Sequence, residues 1–142
     1  MIRLAQAHDL PQLLELYTHL HNNPIPDEAP IELWQEIIAD PNHHIIVAEQ
    51  DGKLVSSCVL LIVPNLTHSQ QPYALVENVV THTDYRKRGL GHAVMDFAKS
   101  IAIQRNCYKM MLLTGTKQAA TLRFYERAGY NCQDKTGFIQ WL

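Results

Sequence analysis

One segment constrains this chain more than any other. Between Tyr73 and Arg105 it reads as a strand, a short basic turn and a long amphipathic helix. Along Tyr73–Thr81 the residues alternate: Ala74, Val76, Asn78 and Val80 face one side, and Tyr73, Leu75, Glu77, Val79 and Thr81 the other. The turn is Tyr85-Arg86-Lys87-Arg88-Gly89-Leu90-Gly91. Beyond it Leu90, Ala93, Val94, Phe97, Ala98 and Ile101 trace one helix face. With a strand over Cys107–Leu113, this makes a strand–helix–strand unit.

The remaining elements set the layers. Asp9 reads as an N-cap with Pro11 just inside the helix, followed by Leu10, Leu13, Leu14, Tyr17 and Leu20 at helical spacing. A second helix covers Pro30–Ala39 and stops at Asp40-Pro41. Apolar runs on either side of Asp51-Gly52 predict a hairpin from Ile45 to Val63. Pro64–Pro72 reads as a loop. Ala119–Ala128 reads as a helix with Gly129 just past its end, and Tyr130–Leu142 as one or two closing strands. The class is α+β with a mixed sheet, in a single domain over residues 1–142.

Composition excludes several functions. The 12 basic and 14 acidic residues give a net charge of −2, without the basic excess of a general nucleic-acid binder. The longest apolar run is Cys58–Val63, too short to cross a membrane. The first residues lack the apolar stretch of a secretion signal. Cys58, Cys107 and Cys132 have no CxxC spacing and read as reduced thiols of a cytoplasmic protein. The histidines form no ligand pattern, so no metal site is expected: His19 and His21 do not share a helix face, and His43-His44 lacks a partner motif. His82 follows the strand closely, as a turn residue or a substrate contact.

The basic turn carries the chemistry. A helix N-terminus has unpartnered N–H groups and a partial positive charge, and a phosphate satisfies both. Gly89 and Gly91 either let a diphosphate approach the backbone or merely shape a tight turn, while Arg86, Lys87 and Arg88 add positive charge. GxxxxGK[ST] is absent. GxGxxG fails at Val94, and no acidic residue follows near Met111. Nucleoside triphosphate and nicotinamide readings therefore fall.

What remains, Arg86-Lys87-Arg88-Gly89-Leu90-Gly91, resembles the coenzyme A loop of the GNAT superfamily of N-acetyltransferases. Glu77-Asn78-Val79-Val80-Thr81 is similar to that family's acetyl-CoA strand, and Arg123-Phe124-Tyr125-Glu126-Arg127-Ala128-Gly129-Tyr130 to its FYExxGF segment. Arg3-Leu4-Ala5 with Asp9-Leu10-Pro11 resembles the opening strand and first helix, and Asp51-Gly52-Lys53 fits the early hairpin. The family often has Asn where Gln118 stands here. Within the superfamily the small-amine and amino-sugar acetyltransferases look most similar.

The resemblance implies a central sheet of about six to seven strands flanked by about four helices. It implies acetyl-CoA as co-substrate, with pantetheine held by the backbone of Val79, Val80 and Thr81. The diphosphate would rest on Arg86, Lys87, Arg88, Gly89, Leu90, Gly91 and His92, and Gln118 is a further candidate contact. Tyr125 would protonate the leaving sulfur, or else simply packs on the sheet. Glu77 would accept the amine proton, helped by partial burial beside Leu75 and Val79, or is an ordinary carboxylate. The implied acceptor is a small primary amine. Asp27, Glu28 and Glu32 would attract a cation, whereas Lys117, Arg123 or Lys135 would suit a phosphorylated sugar. A sensor that binds acyl-CoA without turnover and a protein acetyltransferase are the alternatives. Family members often form homodimers.

Overall fold

The Asp51-Gly52 hairpin is the spine of the molecule. Both turn residues take positive φ, 50° and 75°, the backbone that lets two strands reverse in two residues. Strands β2 (His43–Gln50) and β3 (Lys53–Val63) leave this turn as an antiparallel pair. The computed structural model describes residues 1–21 and 23–142. The other elements are β1 (Ile2–Leu4), α1 (Leu10–Tyr17), α2 (Ile31–Ala39), β4 (Tyr73–Thr81), α3 (Leu90–Gln104), β5 (Met110–Met111) and α4 (Ala119–Arg127). The sheet runs β1-β2-β3-β4-β5, antiparallel until β5 joins parallel to β4.

Two cores follow from strand alternation. On one face Ile46, Val55, Cys58, Leu60, Ala74 and Val76 meet Val94, Met95, Ala98 and Ala102 of α3. On the other Ile45, Val47, Leu54, Val59 and Val80 meet Leu10, Leu13 and Leu16 of α1 and Trp34 of α2. The Trp34 indole donates to the Ala7 carbonyl at 2.9 Å, so its polar edge is satisfied.

The architecture is the expected mixed α+β sheet with four helices, but several expectations need correction. The described residues form five strands rather than six or seven. The strand expected over Cys107–Leu113 shrinks to Met110–Met111, because β5 meets β4 only at Ala74 and Leu75. No strand forms in Tyr130–Leu142. There the Asn131 side chain turns the chain, accepting from the N–H groups of Gln133 and Asp134 at 3.1 and 3.0 Å. Beyond that turn the two-residue β5 offers almost no ladder to extend, and Phe138 and Trp141 stand 90% and 86% exposed. Asp9 does not cap α1: its own backbone is helical, and its carboxylate accepts from Arg3 and from the Gln6 N–H. Finally, the alternation of β4 breaks. Ser57 pairs with Val80 but Val59 with Glu77, leaving one extra residue in β4. Asn78 takes φ 50° there. Val76 and Val80, expected on one side, therefore lie in opposite cores.

Candidate active site

The site grows from the way β4 and β5 part. Only Ala74 and Leu75 are paired to β5, so among the described residues no strand lies beside that edge of β4 from Val76 to Thr81. A central strand with an open edge offers unpaired backbone groups to an extended ligand. The bulge at Asn78 sits at the start of this stretch. It turns Val79 toward the α3 core and Val80 toward α1. Thr81 is anchored at the far end, where its hydroxyl bonds Ser56 at 2.8 Å and its carbonyl accepts from the Arg86 guanidinium at 3.2 Å.

Beyond Thr81 the chain turns and enters α3. Gly89 has φ 78° and open space where a Cβ would lie, so glycine is needed for the backbone angle. Gly91 is needed for a different reason. A Cβ there would stand 3.0 Å from the Phe124 ring and 3.5 Å from the Thr81 hydroxyl. Its small size lets the start of α3 press against β4 and α4. Gly91→Val is therefore expected to lower stability by about 1–3 kcal/mol, the range for overpacking. Thermal unfolding would show it, and an unchanged midpoint would refute the contact.

The first α3 N–H with a partner is that of Ala93, bonded to the Gly89 carbonyl at 3.0 Å. Among the described residues those of Leu90, Gly91 and His92 have none, as the sequence argument required. Arg86, Lys87 and Arg88 are all exposed around them. Lys87 sits at φ 61° and Arg88 lies over the Tyr85 ring, 5.0 Å from its centre. Leu90 packs into the α3 core and His92 meets Phe124 edge-on at 4.6 Å. This combination of free donors and positive charge fits a diphosphate.

Tyr125 projects from α4 into the same region. The helix ends in a reverse cap: Gly129 at φ 95° lets its N–H reach the Glu126 carbonyl and that of Tyr130 reach Tyr125, at 3.0 and 3.1 Å. Tyr125 is half-buried against Phe124. Burial raises its pKa above the ordinary tyrosine value, with smaller contributions from the Cys58 thiol and the Glu77 carboxylate. The phenol is thus protonated at neutral pH and feels the Glu77 carboxylate. Glu77 itself is exposed, and the burial expected beside Leu75 and Val79 is absent. Cys58 lies beneath, its thiol pushed up to about 12 by burial, with its Sγ directed at the Val94 carbonyl, 3.5 Å away. That is an inert packing thiol, not a nucleophile. Gln118 stands apart as the exposed N-cap position of α4, its own N–H bonded to the Thr116 hydroxyl at 3.2 Å.

Three residues escaped the sequence reading. Tyr130 is a second half-buried phenol, pushed up to about 12 by burial and 6.4 Å from Tyr125 between ring centres. Tyr17 of α1 is likewise pushed up to about 12 by burial. Asn78 marks the bulge. Its identity was the available signal, because Asn tolerates positive φ better than most residues. A groove of about 820 Å³ bordered by Tyr125, Tyr130, Met111 and Leu113 adjoins the site. Among the described residues no cluster fits a metal ion.

The sequence profile of the Acetyltransferase (GNAT) family matches residues 10–130. The chain belongs to this family. A glucosamine 6-phosphate N-acetyltransferase from Trypanosoma brucei brucei is 29% identical over 140 residues, covering 94% of this chain and 90% of that protein. A solved structure from Agrobacterium tumefaciens str. C58, provisionally assigned as an acetyltransferase, superposes with TM-score 0.94 and 43% identity, covering 100% of this chain and 99% of its own. A transcriptional regulator from Bacillus halodurans C-125 superposes with TM-score 0.88 and 26% identity, covering 99% of both chains. The fold is therefore the GNAT fold and the chain is an acetyltransferase of that type. No helix among the described residues is long and apolar enough to cross a membrane.

Proposed function

We propose that this GNAT enzyme moves the acetyl group of acetyl-CoA onto a primary amine of a small molecule by direct attack. One observation carries the reading: the unpaired edge of β4 leads into the unpartnered N–H groups of α3, and the protonated phenol of Tyr125 feels the Glu77 carboxylate of that strand. The co-substrate supplies an activated acetyl thioester. The backbone of Val79, Val80 and Thr81 would hold its extended arm. The N–H groups of Leu90, Gly91 and His92, with Arg86, Lys87 and Arg88, would hold the diphosphate, and Gln118 is a further candidate contact. A backbone N–H of β4, that of Val80 in this reading, would steady negative charge on the acetyl oxygen. Tyr125 holds a proton at its phenolic oxygen for the departing sulfur. Glu77 takes the amine proton, directly or through water that its exposed position admits.

An amino-sugar phosphate is the acceptor class favoured by the name of the Trypanosoma relative. The inert Cys58 agrees with transfer that forms no enzyme-bound acyl group, and three free thiols agree with a cytoplasmic setting. The name of the Bacillus structure favours a second reading, a regulator that binds acyl-CoA without turnover. Thiol release from acetyl-CoA over polyamines, amino acids, aminoglycosides and amino-sugar phosphates separates the two. Release with one amine class is expected. Cofactor binding without release on any amine would favour the regulator, and no binding at millimolar concentration would defeat both.

A further inference from the structure

We infer that a cavity on the α1 side of β4, outside the Arg86–Gly91 turn, binds a phosphate monoester through Lys53, His82 and His19. The cavity, about 170 Å³, lies between the last turn of α1, the start of β3 and the end of β4. Hydrogen bonding fixes what its histidines present. The Asp84 N–H donates to His82 Nδ1 at 3.2 Å, and a backbone N–H can only donate. In a neutral ring the proton of His82 is therefore on Nε2. That nitrogen lies 3.4 Å from Lys53 Nζ, so two donors face each other with no acceptor between them. An anionic oxygen shared by both resolves the conflict. His19 repeats the arrangement. Its Nδ1 sits 2.8 Å from the Thr83 hydroxyl and 3.5 Å from the Thr83 N–H, and its ring lies 4.2 Å from that of His82.

Charge points the same way, although the exposed Asp84 carboxylate lies 4.0 Å from His82 Nδ1. Lys53 makes no ion pair among the described residues. Glu15 also lines the cavity, but it is exposed and does not pair with that ammonium. Tyr85 links the cavity to the basic turn, with Lys53 at 6.0 Å and Arg88 at 5.0 Å from its ring centre and His82 edge-on at 5.4 Å. The positive band is thus continuous with the proposed diphosphate cradle. Two monoesters have this chemistry, the 3′-phosphate of coenzyme A and a phosphate on the acceptor. Their assignment as sources rests on the acetyl-CoA reading, whereas the site itself does not.

The test titrates the full-length protein with inorganic phosphate while histidine ring protons are followed by NMR. Signals of His19 and His82 should shift, and Lys53→Gln, an exposed change, should weaken phosphate about tenfold, as loss of one charged hydrogen bond predicts. His19→Gln should weaken it as well, by a smaller factor. No shift at tens of millimolar phosphate, or equal affinity in wild type and Lys53→Gln, overturns the site. Calorimetry with coenzyme A and its 3′-dephospho form, and with glucosamine 6-phosphate and glucosamine, then names the source. A preference for one phosphorylated partner that Lys53→Gln erases supports the inference. No preference in either pair shows an adventitious ion only and overturns it as a substrate subsite. If neither coenzyme A form binds while phosphate does, the acetyl-CoA reading fails and the anion site stands.

Discussion

Tyr125→Phe is expected to lower kcat by a hundredfold or more while leaving the dissociation constant for coenzyme A within about twofold. The change removes one oxygen and keeps the ring. The ring is the part that packs against Phe124, and the helix end is held by backbone bonds at Gly129 and Tyr130. Folding should therefore be nearly unaffected, and any loss belongs to the proton. A departing thiolate is a modest base, so the variant should lose most with the least reactive acceptors. The acid also needs its proton, which burial secures well above neutral pH. Activity lost to deprotonation of Tyr125 should consequently appear only on the alkaline side of the ordinary tyrosine range. Tyr130→Phe is the control. Its phenol shares the burial but enters no proposed step, so a loss equal to that of Tyr125→Phe would move the acid to Tyr130. A Tyr125→Phe enzyme turning over at the wild-type rate would end the proton-donor role.

How far the sequence reached depended on whether the deciding force was local. The Asp51-Gly52 turn is dictated by two residues that accept positive φ, and the hairpin formed where it was read. The helix after Gly89 was legible for the same reason, since its apolar spacing is a property of fifteen consecutive residues. The bulge at Asn78 was not. Perfect alternation along Tyr73–Thr81 argued against any break, and the extra residue shows only when Ser57 and Val59 are paired across the sheet. Glu77 was assigned partial burial because Leu75 and Val79 share its face in an unbroken strand, but the bulge at Asn78 breaks that alternation and Glu77 stands exposed. The short β5 is also non-local. Cys107–Leu113 has the composition of a strand, yet β4 departs after Leu75 and leaves it nothing to pair with. That departure opens the candidate site, so the element least visible in sequence is the one on which the chemistry depends. Asp9 shows the opposite error. A local rule made it the cap of α1, while its carboxylate turns back to Arg3, six residues earlier, and to the Gln6 N–H.

Asp9→Ala is expected to be the most destabilising single change outside the two cores. The carboxylate is only 1% exposed and accepts from Arg3 Nη1 at 2.6 Å, Arg3 Nη2 at 3.0 Å and the Gln6 N–H at 2.7 Å. Truncation strands a mostly buried guanidinium and a backbone donor together. Removing one member of a buried ion pair costs about 3–5 kcal/mol, and the lower end applies because Glu49 still holds Arg3 at 2.7 Å. Three kcal/mol of this kind corresponds to a fall in Tm of roughly 10 °C for a domain of this size. Glu49→Ala should cost about 1 kcal/mol or less, since that carboxylate reaches solvent and Asp9 keeps the arginine paired. Acid supplies an independent check. The Arg3 hydrogen bond, opposed by burial, holds the folded-state pKa of Asp9 below the ordinary value, so the unfolded chain takes up the proton first as pH falls. The stabilisation is complete above about pH 5 and is lost as pH falls below about 4. The gap between wild type and Asp9→Ala in urea unfolding should therefore narrow in that range and nowhere above it. A gap that stayed constant down to pH 2 would mean that the variant loses packing rather than charge, and that Arg3 does not depend on Asp9.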